Sequence, residues 1–126
     1  MGLWAIFKEN RPWGFFDRWA EEKAHTAIAA GTYLMDFTAC DAGEAWVLEA
    51  VSAYNDTRAV RVIITVFTAG GVDVSLLDQD TPGAGERACW SGRVTLKATD
   101  YVRLYFADTV IDDVLTATVW GYKMQV

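Results

Sequence analysis

The chain has 126 residues, 52% of them hydrophobic and 22% charged, with a formal net charge of −6. That length supports one domain with its own core, and the apolar content excludes a disordered chain. The acidic balance, without a basic run, excludes direct binding to a nucleic-acid backbone, and no apolar run approaches the ~18 residues of a membrane helix.

The first nineteen residues carry Trp4, Phe7, Trp13, Phe15, Phe16 and Trp19. So much ring surface in a short segment calls for a covering partner, because each buried aromatic removes about 150–250 Å² from water. Residues 1–11 read as an arm. Pro12 stands at a helix first-turn position. From Trp13 to about His25 the spacing of Phe15, Phe16, Trp19 and Ala20 fits one face of a helix, with an extended β-arm as the competitor and Gly14 weakening the helix by about 1 kcal/mol. The start shows neither the unbroken apolar run of a signal peptide nor the Ser or Thr at position 6 that myristoylation requires. Residues 1–26 are therefore read as an aromatic N-terminal arm or short helix, and 27–126 as the folded domain.

From Ala27 onward the texture is that of strands. Tyr33–Thr38 alternates. A turn at Asp41-Ala42-Gly43 leads to residues 45–54, which are apolar on both faces apart from Glu49 and Ser52 and so predict a second buried surface. After a turn at Asn55-Asp56-Thr57, Arg58–Phe67 is the clearest strand, with Val60, Val62, Ile64 and Val66 on one face. Gly70-Gly71 marks a hairpin to a short strand, Val72–Leu77. Residues 78–86 (DQDTPGAGE) read as a loop. Trp90-Ser91-Gly92 opens the strand Arg93–Lys97, and a tight turn at Ala98-Thr99-Asp100 joins it to Tyr101–Phe106. Asp108–Asp113 reads as a loop before a last long strand, Val114–Val126. Seven or eight strands with turns between them and no intervening helix predict an all-β antiparallel sandwich or barrel.

Groups for catalysis do not assemble in this sequence. His25 is the only histidine, and no G-x-S-x-G turn, Walker loop or G-x-G-x-x-G accompanies it. Cys40 and Cys89 match no zinc spacing and read as two half-buried thiols, with a disulfide between them as the alternative. Two acidic clusters, Asp78 with Asp80 and Asp108 with Asp112 and Asp113, lack the EF-hand spacing and read as turn formers. No metal, cofactor or enzymatic activity is expected. Among the six tryptophans, Trp90 is the best candidate for an exposed ring that stacks on a ligand; the rest read as packing residues.

The segments AWVLEAVSAYND (45–56), the hairpin at 70–71, CWSGRVTLKATDYVRLYF (89–106) and DDVLTATVWGYKM (112–124) carry a resemblance. Their order resembles small β-sandwich structural proteins of tailed-bacteriophage virions: capsid decorations or head and tail accessory pieces. A W-x-G step opens a strand, and a closing strand ends in aromatic-glycine-aromatic. Leu96-Lys97-Ala98-Thr99-Asp100 stands where other trimeric jelly rolls carry L-x-x-G-D, with Thr99 in place of the glycine. The resemblance implies a jelly-roll-like sandwich, a virion location and homo-oligomers, and it assigns no functional residues. The aromatic arm fits it independently, with Trp4, Phe7, Trp13, Phe16 and Trp19 as interface anchors.

The sequence thus predicts a non-enzymatic virion structural protein. It would associate with itself as a ring or trimer and dock on neighbouring virion proteins through its N-terminal arm, with neither nucleic acid nor membrane as partner. The alternative is a carbohydrate- or ligand-binding sandwich, with Ca²⁺ held by the acidic clusters.

Overall fold

A computed structural model describes residues 15–126, with side chains from Asp17 onward. Eight strands follow in chain order: β1 (Phe15–Thr26), β2 (Gly31–Asp36), β3 (Glu44–Asn55), β4 (Arg61–Phe67), β5 (Asp73–Asp80), β6 (Ala88–Leu96), β7 (Tyr101–Thr109) and β8 (Val114–Gln125). They form two four-stranded antiparallel sheets, ordered β1-β8-β3-β6 and β2-β7-β4-β5. Each sheet alternates strands from the two ends of the chain, which is the doubled Greek key of a jelly roll. The expected all-β sandwich is what the chain forms.

Alternation builds the core. Val62, Ile64 and Val66 of β4 meet Val102, Leu104 and Phe106 of β7 from one sheet. Leu115, Ala117 and Val119 of β8 and Leu48, Val51 and Ala53 of β3 fill the other, and all are buried. Because the apolar positions repeat every second residue, one buried face per sheet is enough to set the register.

The first strand takes the extended alternative and not the helix. Residues 15–26 are not helical; they pair with β8 from Phe15↔Met124 to Thr26↔Val114. An isolated helix of this length is marginal in water, whereas the open edge of β8 supplies a backbone partner for the whole segment. Side chains then follow a period of two: Trp19 is buried, and its neighbours Arg18 and Ala20 are exposed. The sandwich therefore includes residues 15–26, which the boundary at 26/27 had set apart as an arm.

Three smaller boundaries also move. β5 runs on through Asp78-Gln79-Asp80, read above as loop, because these residues pair with Ile63, Val62 and Arg61. β6 begins at Ala88, so Trp90 lies inside a strand, opposite Val51. β7 continues to Thr109.

Two local features explain the motifs behind the resemblance. Thr99 has φ +72°, a left-handed conformation in which a β-branched residue is an outlier and glycine is at ease. Asp100 next to it ties two turns together by accepting the Lys97 and Ala69 N–H groups, each at 3.0 Å. Gly121, the middle of the aromatic-glycine-aromatic step, lies opposite Leu48 at a bulge in β3. A Cβ there would stand 1.8 Å from the Val47 carbonyl oxygen, so only glycine lets the bulge press against β8.

Candidate functional site

Of the five expected anchors, Trp4, Phe7 and Trp13 lie outside the described residues, and for Phe16 only the backbone, within β1, is described. Trp19 is only 4% exposed and belongs to the chain's own core. Its ring centre lies 5.1 Å from that of Trp46. It serves the fold from inside and has little surface left for a neighbour, which corrects its reading as an interface anchor.

The acidic clusters do different work from one another. Asp78 forms a two-point bond to Arg61, at 2.7 and 2.9 Å. Both partners are about half exposed, a geometry worth little in stability. The guanidinium holds the Asp78 carboxyl below its usual range. Asp113 is fully buried. It accepts the Val110 N–H at 2.8 Å and the Arg58 Nε–H at 2.7 Å. Burial pushes its carboxyl up, but these bonds outweigh that and hold it below the ordinary value. Among the described residues no group of three His, Cys, Asp or Glu is gathered as a metal site.

Asp113 has a structural consequence. It clamps the β7–β8 loop, whose backbone is also stitched to the β1–β2 loop: Ala27 N–H donates to Asp113 O, and Asp112 N–H to Ala27 O, both at 2.8 Å. Ahead of it in the chain, Asp108 near the end of β7 and Asp112 in the loop have φ +56° and +71°, a conformation Asp tolerates better than most residues but at some cost. The two loops together present Ile28 (82% exposed), Ile111 (57%) and Val110 (37%) to solvent. This apex is apolar and backbone-rigid, an unusual combination for loop tips, which are ordinarily polar. Beneath it His25 stacks on Tyr33, ring centres 3.9 Å apart and planes within 6°. That gives the lone histidine a packing role.

On the outer face of the β2-β7-β4-β5 sheet the polar groups satisfy one another. Arg103 grips Asp36 at 2.7 and 3.1 Å, donates to the Tyr101 hydroxyl and lies over the Phe67 ring. The Tyr105 hydroxyl donates to Asp73, and that bond raises the phenol's pKa. Such a closed lattice stiffens a surface and leaves few groups for a ligand.

The opposite sheet is different. Trp90 is part-buried at the rim of the core. Its register opposite Val51 turns its side chain to the core, whereas Trp120, opposite Ala50, is on the outer face, where with Arg87, Ser52, Ser91 and Cys89 it lines an open cavity of about 360 Å³. The sequence reading marked Trp90 but took Trp120 for a packing residue and passed over Arg87. Trp120 is 41% exposed. Its position two residues before Tyr122 on the outward register of the last strand was the available signal. The thiols are unpaired: Cys40 is buried, which pushes its pKa up, and Cys89 is exposed.

Fold and surface together define a jelly-roll β-sandwich with one apolar apex and one tryptophan-lined cavity. No family model and no curated protein sequence matches the chain. Among solved structures it is similar to a CBM4 structure (17% identity, TM-score 0.35, covering 85% of this chain and 84% of the other). It is similar also to the N-terminal cellulose-binding domain of Cellulomonas fimi β-1,4-glucanase C (18%, TM-score 0.35, 85% and 78%). A third is the structure of infectious bursal disease virus, Gx strain (10%, TM-score 0.45, 90% of this chain and 30% of that one). At these identities and scores, function has to be argued from this chain's own residues.

Proposed function

We propose that this chain is a non-enzymatic structural protein of a bacteriophage virion, one that associates with copies of itself and with neighbouring virion proteins. The phage assignment rests on the resemblance of residues 45–124. The assembly role rests on one observation, the apex where Ile28, Val110 and Ile111 stand exposed on two loops clamped by Asp113. Exposed apolar side chains on a rigid frame lose little conformational entropy on docking, so their burial converts efficiently into affinity. In this reading the segment before β1, with Trp4, Phe7 and Trp13, adds a second contact to a neighbour. The body's acidic charge keeps packaged nucleic acid from being a partner.

The test is solution mass by light scattering after size exclusion, on the full chain, on Ile111→Asp and on a chain lacking residues 1–14. A defined oligomer for the full chain that dissociates in Ile111→Asp with an unchanged melting temperature supports the reading. A monomeric full chain, or an Ile111→Asp variant of unaltered mass, defeats the apex as the self-association surface. Loss of mass in the truncated chain alone would move that role to the arm.

A further inference from the structure

We infer that the outer face of the β1-β8-β3-β6 sheet binds a second copy of this chain, with Trp120 of each copy seated in the cavity beside Trp120 of the other. This rests on the proposed function only in its premise that copies of the chain meet; the surface is separate from the apex.

Register lays the face out in rows across the four strands. Val119 and Val51 are buried, so Trp120 and Ala50, their neighbours in sequence, point outward. One row runs Ala20, Trp120, Ala50, Ser91 from β1 to β6, and the next runs Glu22, Thr118, Ser52, Cys89. On β8, β3 and β6 these rows hold small side chains apart from the indole. Trp120 stands up from that low floor, 41% exposed. Beside it Ala50, Ser52, Cys89, Ser91 and Arg87 line the open cavity of about 360 Å³. One face thus carries a knob on β8 and a hole over β3 and β6.

A twofold axis brings knob and hole together. An axis along the strands, between β8 and β3, turns β8 of one copy onto β3 of the other and β1 onto β6, and it keeps each row opposite itself. Trp120 then lies over Ala50 of the second copy, within its cavity, and the same rotation makes the reverse contact. The two indoles meet side by side across the axis, the kind of buried aromatic contact that dominates interface energies. Aligned sheets packed face to face keep their strands within about 30° of each other, and this axis produces that geometry.

Charge selects the same pairing. Arg87 donates to Ser52 Oγ at 3.0 Å, and its guanidinium carbon lies 4.6 Å from the centre of the Tyr54 ring. These contacts orient it without neutralising it, and among the described residues it makes no ion pair with a carboxylate. The rotation brings Glu22 of the second copy over Cys89, in the row of Ser52 that this guanidinium touches. Two Glu22–Arg87 pairs then flank the two indoles, and a planar guanidinium suits a carboxylate by two-point bonding. Among the described residues the face holds Arg18, Arg87 and Arg93 against Glu22 and Glu49, the last of which pairs with Arg93 at 4.0 Å. It therefore carries no negative excess, although the chain has a net charge of −6. Copies that meet here avoid the repulsion an acidic surface would impose.

The experiment reads solution mass and the rate of Cys89 alkylation, on the full chain from about 5 μM to about 500 μM. Cys40 is buried, so Cys89 is the reacting thiol. Alkylation should slow and mass should rise with concentration, and the slowing should persist in Ile111→Asp, because the apex takes no part in this contact. Trp120→Ala should weaken association about tenfold or more, at an unchanged melting temperature because the ring is exposed. Glu22→Arg and Arg87→Glu should each weaken it several-fold, and the two in one chain should restore it, since opposite charges meet again across the axis. Cys89 alkylation independent of concentration, or protection that survives Trp120→Ala intact, would overturn the interface. Charge reversals that add instead of cancelling would overturn the twofold register. Loss of Cys89 protection in Ile111→Asp would move the contact to the apex and overturn this face. Protection retained in Ile111→Asp supports this face whatever the mass of that variant, and an unaltered mass there would defeat the apex alone.

Discussion

Truncating Trp19 to alanine distinguishes a core tryptophan from an interface anchor, because the two roles predict losses in different observables. The side chain is 96% hidden within the chain itself, since only 4% is exposed, and it packs on Trp46. An indole buries about 150–250 Å², which at ~25 cal/mol per Å² gives a gross contribution of about 4–6 kcal/mol. Part of that is offset, since Trp19 Nε1 is buried without a hydrogen-bond partner, a cost of about 1–3 kcal/mol. The net expectation for Trp19→Ala is a loss of about 3 kcal/mol, or roughly 10–15 °C in melting temperature for a domain of this size. Trp19→Phe keeps most of the ring surface and removes the unpaired N–H, so it should stay within about 1 kcal/mol of the parent. Urea denaturation of both variants, beside light scattering at the same concentrations, gives the comparison. If Trp19→Ala left the denaturation midpoint almost unchanged and lowered only the oligomer mass, the reasoning from burial would be wrong and the anchor role would stand.

Further expectations follow from the backbone and from Asp113. Gly121→Ala places a methyl carbon against the Val47 carbonyl and should cost about 2–3 kcal/mol, read from chemical denaturation; a neutral result would mean that the bulge in β3 relaxes freely. Thr99→Gly relieves a β-branched residue at φ +72° and should raise stability by about 1 kcal/mol in the same assay, the gain being reduced by glycine's greater chain entropy. Because the Asp113 carboxyl is held below its ordinary value in the folded chain, its stabilising contribution is present above the unfolded carboxylate range near pH 4 and fades as pH falls through the lower, folded value. Stability measured from pH 6 to pH 2 should therefore decline less steeply in Asp113→Asn than in the parent; parallel curves would show that the buried carboxylate carries no pH dependence.

Alternation in Arg61–Phe67, Tyr101–Phe106 and the last strand was legible from residue type alone, because a period of two with Val, Ile and Leu has one physical solution, a half-buried strand. The turns at Asn55-Asp56-Thr57 and Ala98-Thr99-Asp100 were legible for the same local reason: their residues bond their own backbone or tolerate unusual φ values. The segment 15–26 was not. Among its described side chains only Trp19 belongs to the core cluster, and what makes it a strand is the unpaired edge of β8, about a hundred residues away in sequence. Likewise Asp78-Gln79-Asp80 carries strong turn formers, yet pairing with β4 overrides their preference.

The candidate sites divide along the same line. Sequence composition determined that this is an acidic β-sandwich with its aromatic side chains concentrated near the N-terminus; it also marked Trp90 as an exposed ring, whereas that side chain is part-buried against the core. Tertiary structure alone decided that Trp120 and Arg87 line one cavity on the outer face of their sheet, while Trp90 packs on the core. It also decided that Ile28 and Ile111 share one apex. Residue type sets what a strand or turn can be, because those preferences act over a few bonds. Which strands become neighbours depends on pairing and burial summed over the whole chain, and binding surfaces are made only by that pairing.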